Sequence, residues 1–421
     1  MADQNIRRYD YIFKDIMQAL QEDYAGAGEL GPEYEPKFYL TACGAAHHNN
    51  RMTDLLMLRY CSQMLATTFD RNLRFELQAS EDYTPGNRGF YARRVGEELI
   101  VTKVLEETRL SPGDVIQRIN DVSPGRHRRG VQKNFFYSDE PERELWNGLL
   151  KMADHIQVRH LDGTTEDLQL RDYPKTDRQP QPQLRVLEDH AVYLNPDRLD
   201  DSEALEELLS AHQADLEACE KLILDLRQVS GYDPTAMFPL LPWLFLGQKR
   251  AGDLLPDEQL LTNYTQRNCE WKAWLLECAG DESGWPDRLR QRAGDGFVEE
   301  TLCFWDDPDE IIQGRMGGRL VLLTDTWCED AGEQLAEVAQ RLGAYTIGRP
   351  TMGTLDYSNP VTVLCDSDFA ITWPMSKRKA VTQGQTLKNK GLPVDDYVPF
   401  TAQETLRDLL LERALAFSGE A

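Results

Sequence analysis

The residues best placed to do chemistry lie in the stretch from Leu323 to Glu333. The apolar run at 319–324 predicts a buried strand, and Asp330 opens an apolar-periodic helix. A strand-to-helix turn of this kind lifts one side chain to the helix N-terminus, where backbone N–H groups can stabilise an oxyanion. Acyl transfer would require a serine or cysteine at that position, and Asp330 stands there instead. The sequence therefore predicts an architecture for acyl transfer without its nucleophile.

Other reactive side chains nearby have simpler structural explanations. Cys328 lies two residues before Asp330, and a thiol near a helix N-terminus can have a lowered pKa. No histidine is close in sequence, and free cysteines are usually buried, so core packing is favoured for Cys328. Asp225 and Arg227 are expected to form a structural ion pair at a strand end.

The eight cysteines give no reason to expect a metal or another cofactor. No C-x-x-C pair occurs, nor any Cys/His cluster with zinc spacing. The doublet His47-His48 has no acidic or histidine partner at helical spacing. We expect reduced thiols and no bound cofactor.

Length and composition describe a globular chain of two or three units. It has 421 residues, of which 41% are hydrophobic and 28% charged, and no apolar run approaches a membrane span. The first residues lack the basic-then-apolar order of a secretory signal, so a cytoplasmic location is expected. The formal net charge of −25 disfavours nucleic acid and anionic membranes as partners, because both would repel the chain.

Periodicity divides the chain into four segments. Amphipathic helices, one of them at 51–67, predict an N-terminal helical region at 1–80, and short alternating strands predict a β-rich module at 86–172. A segment rich in proline, glutamine and charge at 173–183 predicts a linker. From 184 to 421 strands alternate with helices, one of which is expected around 239–245, and this alternation indicates an α/β core with a partly parallel sheet. Within that core, 247–315 is polar and poorly periodic and is interpreted as a possible insertion.

The β-rich module resembles a PDZ domain. The segment 110–122 is similar to the core of such a domain, and the order from Gly89 to the hairpin at 162–165 also fits. The resemblance implies that the module either binds a peptide C-terminus by strand addition or acts as a regulatory lid. Gly89, Phe90 and Tyr91 would then form the carboxylate-facing loop.

Four blocks in order resemble the tail-specific, or C-terminal-processing, serine peptidases, and the tricorn-protease-core branch fits best. They are 222–231, 324–333, 347–353 and 391–402, followed by a predicted terminal helix at 404–417. The resemblance implies a crotonase/ClpP-like α/β tail-specific-protease core, with an N-terminal helical region and a PDZ-like β-rich module.

The family's catalytic residues fall on unsuitable side chains. Its nucleophilic serine falls on Asp330, and its histidine falls on Asn72. The glutamate of the tricorn-like branch falls on Lys388, and the lysine of the related dyad branch falls on Thr354. An amide cannot accept a proton at neutral pH as imidazole does. The resemblance therefore implies that the catalytic triad is lost.

The oxyanion turn has changed as well, since only Gly231 remains of the usual paired glycines and the second position is Tyr232. We expect a peptide- or protein-binding pseudopeptidase whose partner is a peptide or protein C-terminus. An ion pair between Asp330 and Lys388, hydrogen-bonded by Asn72, would close or repurpose the site. The alternative is an active peptidase or hydrolase of the same family that uses a rearranged site around Asp330.

Overall fold

The computed structural model describes residues 2–78, 86–129, 140–174, 179–366 and 368–418. Helices in this part of the chain span Ala2–Gln18 (α1), Pro36–His48 (α2), Asp54–Ala66 (α3), Pro124–Arg129 (α4), Trp146–Lys151 (α5), Glu203–Ala211 (α6), Gln213–Ala218 (α7), Ala251–Leu254 (α8), Gln266–Cys278 (α9), Trp285–Gln291 (α10), Ala331–Arg341 (α11) and Leu409–Ala416 (α12).

The strands are numbered in the same way, in chain order. They span Arg74–Leu77 (β1), Gly86–Asn87 (β2), Phe90–Val95 (β3), Glu98–Val104 (β4), Val115–Ile119 (β5), His155–Arg159 (β6), Thr165–Gln169 (β7), Tyr173–Pro174 (β8), Gln183–Val186 (β9), Ala191–Asn195 (β10), Lys221–Asp225 (β11), Leu246–Arg250 (β12), Glu258–Tyr264 (β13), Gly296–Leu302 (β14), Ile311–Arg315 (β15), Arg319–Thr324 (β16), Tyr345–Gly348 (β17), Tyr357–Cys365 (β18), Phe369–Arg378 (β19) and Asp396–Tyr397 (β20).

The chain forms two compact units, and each is built from separate stretches of sequence. β19 pairs with β1, β13 and β18, so strands distant in sequence share one antiparallel sheet. The residues at 260–300 and 357–379 therefore group with the N-terminal part and not with the predicted core at 184–421. Unit 1 comprises Met1–Thr176, Leu260–Glu300 and Tyr357–Lys379, and unit 2 comprises Asp177–Gln259, Thr301–Asp356 and Ala380–Ala421.

Unit 2 is organised around a six-stranded sheet of order β20-β17-β16-β11-β10-β9. β20, β17, β16, β11 and β10 run parallel, and β9 joins the edge antiparallel. Both faces are buried, as parallel sheets require. Along β16, Leu320 and Leu322 face the side covered by α11, whereas Val321 and Leu323 face the side covered by α12. The predicted partly parallel α/β sheet is confirmed.

Unit 1 contains a second antiparallel sheet of order β3-β4-β5-β6-β7, whose core includes residues of α5. The predicted helices and strands of this part are largely present. The predicted helix at 51–67 is α3, with the Thr53 hydroxyl accepting the backbone N–H of Leu56 as its N-cap. The predicted linker at 173–183 includes residues outside the described part, and its ends belong to β8 and β9.

Three elements differ from the sequence-based prediction. The helix expected around 239–245 is a 3-10 segment at Pro234–Trp243, because Pro239 and Pro242 lack the N–H groups that an α-helix needs. The expected terminal helix is a 3-10 turn at Ala402–Thr405 followed by α12. The region 247–315 is regular, and holds strands and helices from β12 to β15. No helix in the described part of the chain is long and apolar enough to cross a bilayer.

Candidate functional site

The turn between β16 and α11 has the backbone shape of a nucleophile turn. Asp330 is the N-cap of α11 and adopts φ 50° and ψ −124°. This combination is sparsely populated for any residue with a side chain, and it marks turns that project one side chain from the end of a strand. The predicted strand-turn-helix is therefore confirmed, with an aspartate at its apex.

The backbone N–H groups at this turn already have protein acceptors. The N–H of Asp330 donates to the Thr354 hydroxyl at 2.8 Å, and the N–H of Ala331 donates to the Gly231 carbonyl at 3.1 Å. Helix N-termini normally leave their first N–H groups for a capping side chain or a ligand. The N–H groups of the next three residues of α11 also have acceptors within the turn. Those of Gly332 and Glu333 donate to the Glu329 carbonyl, and that of Gln334 donates to the Asp330 carbonyl.

Gly231 can lie against the backbone of Leu199 only because it lacks a side chain. Its φ is 154°, and a Cβ atom built on it would lie 2.1 Å from the Leu199 carbonyl oxygen. The next residue, Tyr232, is 75% exposed, and its backbone N–H donates to the Asp200 carboxylate at 3.3 Å. Gly231 and Tyr232 are the residues that the resemblance assigns to the oxyanion turn. Gly231 presents its carbonyl to α11, and the N–H of Tyr232 is bonded to a carboxylate.

A buried glutamate that the sequence did not single out holds the turn against the following loop. Glu333 is fully buried, and its carboxylate accepts the backbone N–H groups of Gly353 at 2.9 Å and Thr354 at 2.7 Å. It also accepts the hydroxyl of Thr354 at 2.8 Å and that of Thr351. Burial raises the pKa of Glu333, and these hydrogen bonds counteract the rise. Acidic residues are common in the first turn of a helix, so the sequence alone did not predict that Glu333 would be buried.

The loop that carries Lys388 is fixed to the same part of unit 2. The Asp356 carboxylate accepts the backbone N–H groups of Leu387 and Lys388, both at 2.9 Å. The Thr351 hydroxyl, which binds Glu333, also accepts the N–H of Leu392 at 2.7 Å. Hydrogen bonds through Thr354, Glu333 and Thr351 therefore connect the Asp330 turn to Leu392, four positions beyond Lys388. The ion pair between Asp330 and Lys388 stays a prediction.

Asn72, at the position matched to the family's histidine, lies in unit 1, where its hydrogen bonds hold neighbouring chain segments together. Its backbone N–H donates to the Asp70 carboxylate at 2.9 Å, and its side-chain amide donates to the Tyr357 carbonyl at 3.0 Å. The buried Asp70 also accepts the Tyr24 hydroxyl at 2.9 Å. The amide joins two chain segments by donating to a carbonyl, and it has no nitrogen that accepts a proton at neutral pH.

The two alternative reactive groups of this region are structural. Cys328 is fully buried, and burial together with the neighbouring carboxylates raises the pKa of its thiol well above the ordinary value. Arg227 binds Asp225 at 2.6 Å and Asp408 at 2.7 Å, and the Tyr193 hydroxyl donates to Asp225 at 2.7 Å. Core packing of the thiol and the structural ion pair are both confirmed.

The predicted carboxylate-facing loop leads directly into β3. The Gly89 N–H donates to the Asn87 side chain at 2.5 Å, and the Gly89 carbonyl accepts the N–H of Leu105 at 2.7 Å. Phe90 is buried in the core of the β3–β7 sheet, and Tyr91 is half-buried. The described residues hold no cluster of three or more His, Cys, Asp or Glu side chains suited to a metal ion.

Comparison with known proteins identifies the fold. No protein-family model and no curated protein sequence matches the chain. Among solved structures, mature CPAF complexed with lactacystin is 11% identical, with 95% of each chain covered and a TM-score of 0.62. A CPAF point mutant is also 11% identical, over 97% of this chain and 96% of that one, with a TM-score of 0.63. The photosystem II D1 C-terminal processing protease is 13% identical over 93% of each chain, with a TM-score of 0.43.

At this level of identity the similarity shows the fold alone. The chain has the fold of the tail-specific, S41-like peptidases along nearly its whole length, and the resemblance found in the sequence is confirmed. The fold is mixed α/β.

Proposed function

We propose that the protein is a non-hydrolytic relative of the tail-specific peptidases that binds a peptide or protein C-terminus. The observation that carries this proposal is the hydrogen bond from the Ala331 N–H to the Gly231 carbonyl. Acyl transfer needs backbone donors directed at the developing oxyanion, and here a carbonyl oxygen already binds the donor beside the apex of the turn.

The side chains around the turn support the same conclusion. A carboxylate such as Asp330 would form a labile anhydride with a peptide carbonyl, because it lacks a hydroxyl or thiol whose proton a base could remove. The Cys328 thiol cannot replace it, since it is buried and its raised pKa keeps it protonated. Asn72 offers no base at neutral pH.

We further propose that Asp330 and Lys388 form an ion pair that occupies the former catalytic cleft. Both residues belong to unit 2, and the contacts of Thr354, Glu333 and Asp356 hold their two loops in place. Lys388 is half-buried, as Asp330 is, so each charge gains from a partner. Such a pair fixes geometry rather than adding much stability.

The peptide-binding part of the proposal rests on the sheet β3–β7, which we assign as a PDZ-like module. Among the strands that the structure describes, β3 lies at one end of the sheet order and follows the Gly89 loop directly. Strand addition at such an edge recognises a peptide through its main chain. The net charge of −25 favours a neutral or basic protein segment over nucleic acid or an anionic membrane.

A second candidate function is hydrolysis by a rearranged site, with Asp330 acting as acid or base. One observation favours it: the strained backbone of Asp330 is retained although an aspartate stands there. Strain of this kind persists mainly where the surrounding structure enforces it, often at active sites.

One experiment separates the two functions. Purified wild-type protein and the Asp330→Ser and Asp330→Asn variants are incubated with a quenched-fluorescence unstructured peptide, and the products are identified by mass spectrometry. We expect no cleavage by any of the three, because serine alone does not remove the Gly231 carbonyl from the Ala331 N–H. Cleavage by wild type that Asp330→Asn abolishes would overturn the proposal and establish the hydrolase.

A further inference from the structure

One side of α3 carries polar groups that are buried without partners. Gln63 is 1% exposed, and in the part of the chain that the structure describes neither its amide nitrogen nor its amide oxygen has a hydrogen-bond partner. The Nε atom of Arg59, four residues earlier, is likewise buried without an acceptor among the described residues. Buried polar groups in folded proteins are nearly always hydrogen-bonded, so two exceptions on one helix indicate a site for a polar molecule.

Arg59 and Gln63 lie on the same side of α3, away from its apolar stripe. Side chains four residues apart are neighbours on a helix, with Cβ atoms about 5–6 Å from each other. Met57, Cys61 and Met64 form the buried stripe on the opposite side. A polar side chain opposite such a stripe is usually solvated, and Gln63 is buried instead.

The burial of this side decreases along the helix towards its N-terminus. Ala66, three residues after Gln63, packs against the core of the β3–β7 sheet. Arg59 is half-buried, and Leu55, four residues before it, is 57% exposed. All four residues belong to unit 1. The row from Ala66 to Leu55 is therefore closed at one end and open to solvent at the other.

The polar groups of this row match the end of a peptide chain. The Arg59 guanidinium and the Gln63 amide nitrogen are donors, and one carboxylate can accept both. The Gln63 amide oxygen is an acceptor, and the last residue of a peptide carries a backbone N–H beside its carboxylate. An internal segment has no main-chain carboxylate and would have to continue past Ala66, where the row is closed. A chain terminus needs only the open end.

We infer that Arg59 and Gln63 bind the C-terminal residue of a peptide or protein. The carboxylate accepts the Arg59 Nε–H and the Gln63 amide N–H, and the backbone N–H of the same residue donates to the Gln63 amide oxygen. The preceding residues leave past Leu55, which offers an apolar contact. This inference rests on the proposed function and assigns the carboxylate to α3 rather than to the Gly89 loop, where the Gly89 N–H already donates to Asn87.

The test measures binding to the full-length chain by fluorescence polarisation. The probe is a degenerate octapeptide pool labelled at its N-terminus, prepared with a free C-terminal carboxylate and as the C-terminal amide. Arg59→Met removes the cation, and Gln63→Met replaces the amide with an apolar side chain of similar length. Arg51→Met removes an exposed cation three residues before α3 and is the matched control.

We expect wild type to bind the carboxylate pool at least about tenfold more tightly than the amide pool, the factor equivalent to one charge-assisted hydrogen bond. Arg59→Met and Gln63→Met should lose this preference, whereas Arg51→Met should keep it. A preference kept by Arg59→Met or Gln63→Met would overturn the site and leave recognition of a C-terminus standing. Equal binding of the two pools by wild type, or no binding, would overturn the proposed function and the site together.

Thermal melts followed by circular dichroism detect a purely structural role of Gln63. A buried amide without partners destabilises the free protein, so Gln63→Met should have a Tm equal to or above that of wild type. A lower Tm together with an unchanged carboxylate preference would show that ordered water satisfies the amide, and would overturn the site.

Discussion

Replacing Thr354 with valine tests whether the hydrogen bonds around Glu333 hold the Asp330 turn. Thr354 is 3% exposed, and valine has nearly the same shape, so the change removes a hydroxyl with little effect on packing. That hydroxyl accepts the Asp330 N–H at 2.8 Å and donates to Glu333 at 2.8 Å. The variant leaves the Asp330 N–H without its acceptor and deprives Glu333 of one donor.

The expected loss of stability follows from these two bonds. A buried polar group left without a partner costs roughly 1–3 kcal/mol, and a hydrogen bond to a charged group contributes about 1.5–3 kcal/mol. The two effects share one side chain and partly relax together, so we expect a total of about 3 kcal/mol.

The loss should also depend on pH. Burial holds the pKa of Glu333 above its ordinary value, so the stability linked to this group is fully present below the unfolded pKa and is lost as pH rises through the folded pKa. Without the Thr354 hydroxyl the pKa of Glu333 rises further, because one bond to the carboxylate is gone. The difference between variant and wild type should therefore be larger at pH 7 than at pH 4.5.

The measurement is urea unfolding of wild type, Thr354→Val and Thr354→Ser, followed by tryptophan fluorescence at both pH values. Thr354→Ser keeps the hydroxyl and should lose less than about 1 kcal/mol. Thr165→Val, at an exposed position of β7, is the matched control and should stay within about 0.5 kcal/mol of wild type. A Thr354→Val protein as stable as this control would refute the role assigned to the Glu333 contacts.

Three further predictions concern other parts of the chain. Asp330→Gly should be more stable than Asp330→Ala by about 1 kcal/mol or more in thermal melts, because both lose the carboxylate and only glycine tolerates φ 50° and ψ −124°. Arg227→Met should lose about 3–5 kcal/mol in urea unfolding, since it leaves the buried Asp225 unpaired; an unchanged midpoint would contradict this. Burial disfavours the His160 cation, but hydrogen bonds and charges from Asp114 and Glu166 outweigh burial and raise its pKa. The stability that protonated His160 contributes is present below about pH 6.5 and is lost as pH rises through the folded pKa. His160→Asn should therefore destabilise the protein more at pH 6 than at pH 8.

Local patterns predicted the elements that position the site, and tertiary contacts decided the rest. The apolar run before Thr324 and the amphipathic residues after Asp330 suffice for β16 and α11, because strand and helix periodicities are local. The orientation of the Gly231 carbonyl depends on Leu199 and α11, which no local pattern reports. The same holds for Glu333, whose burial is set by a loop about twenty residues later.

The region 247–315 shows the same limit at the level of the fold. Its residues Leu260, Leu261 and Thr262 pair with β19, more than a hundred positions further along the chain. Strand β13 carries buried polar residues such as Thr262 among its apolar ones, so the sequence there shows no clear strand period. For that reason the sequence did not predict that each of the two units is built from separate, interleaved stretches of the chain.

This interleaving affects how the chain can fold during synthesis. Strand β1 pairs with β19, and Arg74 faces Thr372, so the sheet that contains β1 cannot form until β19 has left the ribosome. The sheet β3–β7, by contrast, uses a single continuous stretch and can form early. Between these two events the emerging chain exposes unpaired apolar strands, the state in which growing polypeptides are most prone to aggregate. A nascent chain stalled before β19 would therefore depend on chaperones, whereas a fragment confined to the β3–β7 sheet would not.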